Sequence, residues 1–249
     1  MLEHRAVRAL LAAGFCALVA TAQAAELRVI GDSPLGPALT KVADLFRQET
    51  HTNVNLVLAP SPAIKQKIEA GEDADVVVVQ PDFMEELAKA GKVSVGDRPM
   101  IGRVGIGLGT RDNSPLRDIS TPDKLKQTLL GADTLVFNSV ASGNYFASVL
   151  ERLGIAATLE SKIVRTSPNG IFEPVLKGNG YDIAAGTIPL IATTHGIRLL
   201  GPLPSELQHY LTYTALPLTN AQQREAAEAF IKFLRSSKAK ETFAANGVD

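Results

Sequence analysis

Cysteine, tryptophan and surplus charge are what this 249-residue sequence has little of. Its one cysteine, Cys16, lies in an N-terminal apolar stretch, so a chain cleaved after that stretch has no disulfide and no thiolate metal site. The 25 basic residues balance 26 acidic ones, which argues against a nucleic-acid partner. Aromatic residues make up only 5% and tryptophan is absent, which disfavours a stacking site for sugars.

Catalytic and metal motifs are also missing. The chain has four histidines, and none has the H-x-x-x-H or H-E-x-x-H spacing of a zinc site. It lacks the G-x-S-x-G and G-x-x-x-x-G-K-[ST] patterns of hydrolases and P-loops. The glycine-rich run Val104–Gly109 lacks the last glycine that opens the helix of a dinucleotide loop. We therefore expect no cofactor and no protein-held metal.

The N-terminus has the three parts of a secretory signal peptide. Arg5 and Arg8 precede the apolar run Ala9–Ala20, and Ala22–Ala24 is an A-x-A cleavage site. The run is too short to span a bilayer, and no later segment approaches that length. Residues 1–24 are therefore predicted to be removed, leaving a soluble periplasmic protein that is not inserted in the membrane.

Short apolar strands alternate with amphipathic helices through the rest of the chain. Val76–Val79 is a continuous β-branched run, typical of a central strand buried on both faces of a parallel sheet. The linking loops are short, which favours an α/β fold. We expect two Rossmann-like lobes with mixed, mostly parallel sheets, joined by a two-strand hinge and separated by a ligand cleft.

Two extended segments are predicted to cross between the lobes. Ile101–Gly109 alternates apolar residues with glycine, and Tyr210–Pro217 would carry the chain back. Lobe 1 is then residues 25–103 plus 211–249, and lobe 2 is residues 104–210. Because ligand sites concentrate in clefts between domains, the boundary between the lobes is the expected site.

Turns that join a strand to a helix and carry hydroxyl groups are the candidate binding elements. They lie at Gly31–Ser33, Pro60–Pro62 and Asn138–Asn144, with weaker candidates at Asn169 and Thr187. A helix N-terminus has unpaired N–H groups and a partial positive charge, so such turns can hold an anion without a charged side chain. The alternative for each serine alone is an ordinary N-cap.

Several longer segments resemble one family. They are the early strand–Gly-Asp-Ser–helix unit, Lys67–Val77, Leu87–Val93 and Val149–Ile155. With these the chain resembles the molybdate-binding-protein-like branch of ABC-transporter solute-binding proteins (type II periplasmic binding proteins), over nearly all of residues 26–246. The resemblance implies a monomer that captures a small anion and delivers it to an ABC transporter permease.

The resemblance also implies binding residues. The family holds its oxyanion with serines that match Ser33 and Ser61, and with backbone N–H groups of a loop that matches Ala141, Ser142 and Gly143. Further backbone groups lie near Ser167–Asn169, so the predicted site comprises Ser33, Ser61, Ala141, Ser142, Gly143, Asn169 and Thr187. No protein-held metal is expected at this site, and molybdate is one candidate for the oxyanion ligand.

Two departures from that family leave the ligand open. Gly186 and Thr187 stand where molybdate binders carry a tyrosine, and Asp32 would repel a dianion unless it points away. A carboxylate fits the same donors. A periplasmic aconitate isomerase also resembles this branch, and its chemistry would need a base, for which Asp32, Lys65 and His209 are the candidates. A sensor without a transporter is a third alternative.

Overall fold

The computed structural model describes residues 26–94 and 96–249, and the predicted signal peptide lies outside them. The first elements alternate as the sequence predicts. In chain order they are β1 (Glu26–Asp32), α1 (Gly36–Thr50), β2 (Asn53–Ala59), α2 (Ser61–Glu69), β3 (Val76–Val79) and α3 (Pro81–Lys89).

The remaining elements form the second half of the fold and the return to the first. They are β4 (Met100–Arg111), α4 (Pro122–Leu130), β5 (Thr134–Asn138), α5 (Ala141–Arg152), α6 (Ala156–Leu159), β6 (Ile163–Thr166), α7 (Phe172–Lys177), β7 (Asp182–Thr187), α8 (Ile188–Thr193), β8 (Ile197–Pro202), β9 (Tyr210–Pro217), α9 (Arg224–Leu234) and α10 (Ser237–Ala244).

The strands follow the order β2-β1-β3-β9-β4-β7-β5-β6, with β8 paired to β4 outside this path. β1 is parallel to β2 and β3, and β5 is parallel to β6 and β7. Each antiparallel pair among these strands involves β4 or β9. The predicted α/β class with a mixed sheet is thereby confirmed, and Val76–Val79 is fully buried as predicted.

Each half has its own apolar core. In the first half, Phe46 of α1 meets Phe230 of α9 edge-on at a ring distance of 5.1 Å. In the second half, Phe137 of β5 meets Phe146 of α5 in the same manner at 5.2 Å. Burying such a ring contributes about 1.5–3 kcal/mol, so each half is stabilised by its own apolar core.

The strand β4 passes from one half to the other. Arg103–Gly105 pairs with β9, and Ile106–Thr110 then pairs with β7. Where β4 leaves β9, the side-chain amide of Gln208 takes the place of a peptide, since it accepts from the Ile106 N–H and donates to the Ile106 carbonyl, each at 2.9 Å. This exchange of partners supports the proposed division into lobe 1 (25–103 plus 211–249) and lobe 2 (104–210).

The parallel pairings decide which residues meet. Asp32, at the end of β1, is in register with Ala59 at the end of β2, so the turn at Ser61 begins beside it. In lobe 2, Phe137 of β5 is in register with Ala185 of β7. The turns that follow β1, β2, β5 and β7 therefore leave the sheet at the carboxyl ends of parallel strands, where open α/β sheets bind ligands.

Over residues 26–94 and 96–249, we find no helix with the length and apolar character that crossing a bilayer requires.

Candidate functional site

A cavity of about 480 Å³ lies between the two lobes. Lobe 1 contributes Asp32, Ser33, Ser61, Gln80 and Phe83, among others, and lobe 2 contributes the turns after β5, β6 and β7. The volume is within the range of small-molecule sites, about 300–1,000 Å³. The cavity therefore has room for an organic molecule and is larger than a tetrahedral oxyanion requires.

Most of the predicted binding residues line this one cavity, which is bordered by Ser33, Ser61, Ala141, Ser142, Asn169 and Thr187. Gly143 is not among the lining residues, because its N–H points back and donates to Asn138 Oδ1 at 3.1 Å. The turns that the sequence analysis singled out thus converge from both lobes, with Gly143 behind the surface that they form.

Asp32 organises the lobe 1 wall of the cavity. The Ser61 hydroxyl donates to Asp32 Oδ2 and accepts from the Gln80 N–H at 3.3 Å. The Gln80 side-chain amide also reaches Asp32 Oδ2, at 3.4 Å. The Ser61 hydroxyl therefore donates its only proton to Asp32. The sequence analysis expected this proton to be donated to the ligand.

Burial raises the pKa of Asp32 to about 6, although hydrogen bonds from Ser61 and Gln80 and from the backbone N–H groups of Ser61 and Ser33 lower it in part. The residue is only 2% exposed, and no charged partner contributes to this balance. A carboxyl group in such a setting changes its charge near neutral pH. Lobe 1 thus presents a titratable hydrogen-bond acceptor to the cavity.

Asn138 organises the lobe 2 wall. Its side-chain oxygen accepts from the N–H groups of Val140, at 3.2 Å, and Gly143, at 3.1 Å, which fixes the turn that opens α5. Its amide nitrogen reaches the carbonyl oxygen of Pro168 at 3.4 Å and so links this turn to the one that carries Asn169. The N–H groups of Ala141 and Ser142 remain as first-turn donors at the cavity.

Thr187 ends β7 and precedes α8, and it is 2% exposed. Its hydroxyl makes no capping bond to the helix and has no hydrogen-bond partner among the described residues. Buried hydroxyl groups are nearly always paired, because an unpaired one costs about 1–3 kcal/mol. Because Thr187 also lines the cavity, its hydroxyl is a candidate donor to a bound molecule.

Of the described residues that line the cavity, Asp32 is the only ionisable one, and no lysine, arginine or histidine is among them. Lys65, a candidate base from the sequence, pairs with Glu86 at 2.6 Å and does not line the cavity. His209, another candidate, stacks on Tyr145 at 4.5 Å, also outside it. Any positive potential at the site comes from helix N-termini and hydrogen-bond donors.

Sequence reasoning missed two parts of the site. Gln80 follows β3 directly and precedes α3, the same position in a strand–turn–helix unit as the serines, but the rule used for them required a hydroxyl group, which this turn lacks. The apolar wall, with Phe83, Ile171, Phe172 and Leu190, carries no such signal because these residues look like ordinary helix residues in the sequence. In the described ranges, no group of three or more His, Cys, Asp or Glu is arranged to hold a metal ion.

Two α/β lobes joined by crossing strands, with a lined cavity between them, define a two-lobed binding protein. The family comparison gives the same class. Residues 27–249 match the model of the bacterial extracellular solute-binding protein family, and the chain belongs to that family.

Individual proteins with similar sequences or structures carry different ligands in their names. An aconitate isomerase from Pseudomonas sp is 26% identical over 93% of this chain and 90% of its own length. The periplasmic molybdate-binding protein of Azotobacter vinelandii is 18% identical, with a TM-score of 0.76 over 90% of this chain and 98% of that one. The sulfate-binding protein SubI of Mycobacterium tuberculosis H37Rv is also 18% identical, with a TM-score of 0.68 over 90% of this chain and 86% of that one.

Proposed function

We propose that this protein is a periplasmic solute-binding protein that captures a small organic carboxylate and delivers it to an ABC transporter permease. The observation that carries the proposal is the cavity between the lobes, which the N-terminus of α5 borders and where the Thr187 hydroxyl lacks a partner. Helix N-termini and hydroxyl groups hold anions by hydrogen bonds and dipoles. Family membership supports the solute-binding role.

Two features favour an organic carboxylate over molybdate. Asp32 is an acceptor in the wall. A fully ionised tetrahedral dianion has no proton to offer it, whereas an organic acid can carry a donor group besides its carboxylate. The apolar side chains of Phe83 and Leu190 line part of the cavity, where a carbon skeleton packs and an oxyanion gains nothing. The chemistry of the wall therefore fits a ligand with both apolar and anionic parts.

A thermal-shift screen tests the proposal with molybdate, tungstate, sulfate and a set of mono-, di- and tricarboxylates. We expect one class of carboxylate to raise Tm, since a ligand at a hundred times its Kd stabilises the fold by about 2.7 kcal/mol. A shift with the oxyanions alone would show that the ligand class is wrong. The absence of a shift with every anion would refute the anion-binding role.

Two buried threonines on neighbouring strands make a matched pair of variants. Thr187→Val should weaken binding of the carboxylate found in the screen roughly tenfold, as expected from losing one bond to a charged group, and should leave ligand-free stability unchanged or higher. Thr110→Val should do the opposite, because the Thr110 hydroxyl donates to the Asp182 carbonyl at 2.8 Å within the sheet. Its expected cost is about 1 kcal/mol of stability, with no change in affinity.

Calorimetric binding and thermal unfolding of both variants check this prediction. If Thr187→Val binds as tightly as the unmodified protein, the hydroxyl does not contact the ligand. If it unfolds earlier than the unmodified protein, the hydroxyl has a structural partner after all.

A second candidate function is isomerisation of a bound tricarboxylate, and the position of Asp32 favours it. The Asp32 carboxylate would take a proton from the methylene carbon of aconitate, the double bond would move by one carbon, and Asp32 would return the proton to the far carbon. Nothing is oxidised or reduced, and no proton is lost. A base with a pKa near neutrality suits both halves of this exchange, and the 26% identical relative bears the name of that activity.

Ultraviolet absorbance of cis- and trans-aconitate incubated with the protein tests this candidate. Interconversion that Asp32→Asn abolishes and Lys65→Met retains would support it, because Lys65 lies outside the cavity. Absence of interconversion by the folded protein would remove it and leave the transport role.

A further inference from the structure

The two walls of the cavity differ in polarity. The lobe 1 wall has Asp32, whose carboxylate already occupies the Ser61 hydroxyl and the Gln80 amide. The lobe 2 wall has donors, since it contains the first-turn N–H groups of α5 and the unpaired hydroxyl of Thr187. Asp32 is therefore the acceptor on the lobe 1 wall, beside the Ser33 hydroxyl, which can donate or accept, whereas the lobe 2 wall presents donors.

We infer that the ligand is a bipolar organic acid, with its anionic group held by lobe 2 and a hydrogen-bond donor directed at Asp32 in lobe 1. This inference rests on the proposed anion-binding function and specifies the ligand that it would take. The donor is a hydroxyl or an ammonium group, since both give a proton to a carboxylate. An acid without such a donor binds only when Asp32 itself is protonated.

None of the groups packed around Asp32 carries a free positive charge that could offset a second negative charge brought by the ligand. From β9, Tyr213 is fully buried, and burial together with the Asp32 charge holds its pKa well above 10, so it stays neutral. Ser61, at the start of α2, and Gln80, the residue before α3, are uncharged. Lys65, one turn further along α2, is held by Glu86 and Glu69.

The expected pH dependence follows from proton linkage. With Asp32 ionised above pH 6, an anion that lacks a donor must bring a proton to this carboxylate, so its affinity falls about tenfold per pH unit. Between pH 6 and pH 8 the loss is roughly fiftyfold, because half of the Asp32 carboxyl is already ionised at pH 6. A ligand with a hydroxyl or an ammonium group satisfies the ionised carboxylate directly, so its affinity changes little over the same range.

Matched acids that differ at one substituent test the inference by calorimetry. Succinate, malate and aspartate form one set, and propionate, lactate and alanine form a smaller one. At pH 8 we expect malate or aspartate to bind at least tenfold more tightly than succinate. If the smaller set binds instead, we expect lactate or alanine to bind at least tenfold more tightly than propionate. A preference for the hydroxyl or for the ammonium member identifies the donor. An acid without a donor that binds equally well at pH 8 would overturn the inference.

The variant Asp32→Asn separates titration of Asp32 from titration of the ligand. It should remove the pH dependence of succinate binding and reduce the preference for malate or aspartate at least tenfold, whereas the exposed control Asp112→Asn should change neither. An unchanged preference in Asp32→Asn would also overturn the inference. If no acid or oxyanion binds at either pH, the proposed function itself fails. Because the two pH values are also compared on the unmodified protein, that part of the test holds even if the variant does not fold.

Ligand-free stability gives an independent readout. Because folding raises the pKa of Asp32 from its usual value near 4 to about 6, the folded state binds the proton more tightly than the unfolded state. Stability contributed by this proton is lost as the pH rises from 4 through 6. Asp32→Asn should therefore raise Tm at pH 8 relative to the unmodified protein and have less effect at pH 4. An equal change of Tm at both pH values would contradict the buried, titrating carboxyl on which the inference depends.

Discussion

Replacing Gly143 with alanine is expected to lower the free energy of unfolding by about 2–3 kcal/mol, although the residue lies in a helix, where alanine is ordinarily better than glycine by about 1 kcal/mol. A methyl group at this position would press on the carbonyl oxygen of Asn138 and lie 2.6 Å from Asn138 Oδ1. The carbonyl oxygen is a backbone atom and can give way only if the end of β5 moves. The steric cost therefore outweighs the gain in helix propensity.

The same substitution should weaken ligand binding roughly a hundredfold. Asn138 Oδ1 holds the N–H groups of Val140 and Gly143, so displacing it would move the first-turn donors of α5 away from the cavity. Losing two bonds to an anion at about 1.5 kcal/mol each corresponds to that factor. Chemical denaturation and calorimetry measure the two effects separately.

Gly96→Ala is the matched control. A methyl group there meets no atom within 4 Å, and its backbone is not in the left-handed region. It should change neither stability nor affinity. If the Gly143→Ala protein is as stable as the control and binds as tightly, the turn after β5 tolerates a side chain. The position of the α5 donors would then not depend on Gly143.

The position of the cavity could be predicted from the sequence, because it depends on local pattern. Ser33 and Ser61 follow apolar strands and Thr187 ends one, and parallel strands bring their carboxyl ends to one side of a sheet. The α/β fold follows from the same alternation. The lobe boundaries stay a prediction, supported by the strand β4, which changes partners after Gly105.

The polarity of the cavity could not be predicted in this way. Whether Asp32 lines the cavity or points away depends on the register of β1 with β2, which brings Ser61 to its carboxylate across 29 positions of sequence. No local pattern encodes that pairing. Gly143 shows the same limit, since its contribution depends on a side chain five positions earlier folding back over the turn. Sequence reasoning locates the turns, and tertiary register decides which of their donors remain free.

Removing the carboxylate of Asp182 is expected to cost about 3–5 kcal/mol, the largest effect on stability among the substitutions considered. Asp182 opens β7, the strand that ends at Thr187, and it accepts from Arg111 at 2.8 Å. The two side chains are 6% and 14% exposed, so Asp182→Ala would leave a mostly buried guanidinium group without its counter-charge. Burying an unpaired charge is far more costly than losing a surface ion pair.

A double variant distinguishes this charge effect from simple loss of packing. Arg111→Met with Asp182→Leu removes both charges, so it should recover part of the stability lost in Asp182→Ala. Recovery should be incomplete, because Arg111 also donates to the carbonyl oxygens of Val175 and Gly180, which the double variant leaves unpaired. Glu173→Ala, which removes an exposed pair with Lys177, is the control and should leave Tm nearly unchanged. Urea denaturation orders the variants, and a double variant less stable than Asp182→Ala would show that the bonds from Arg111 to these carbonyls outweigh its pairing with Asp182.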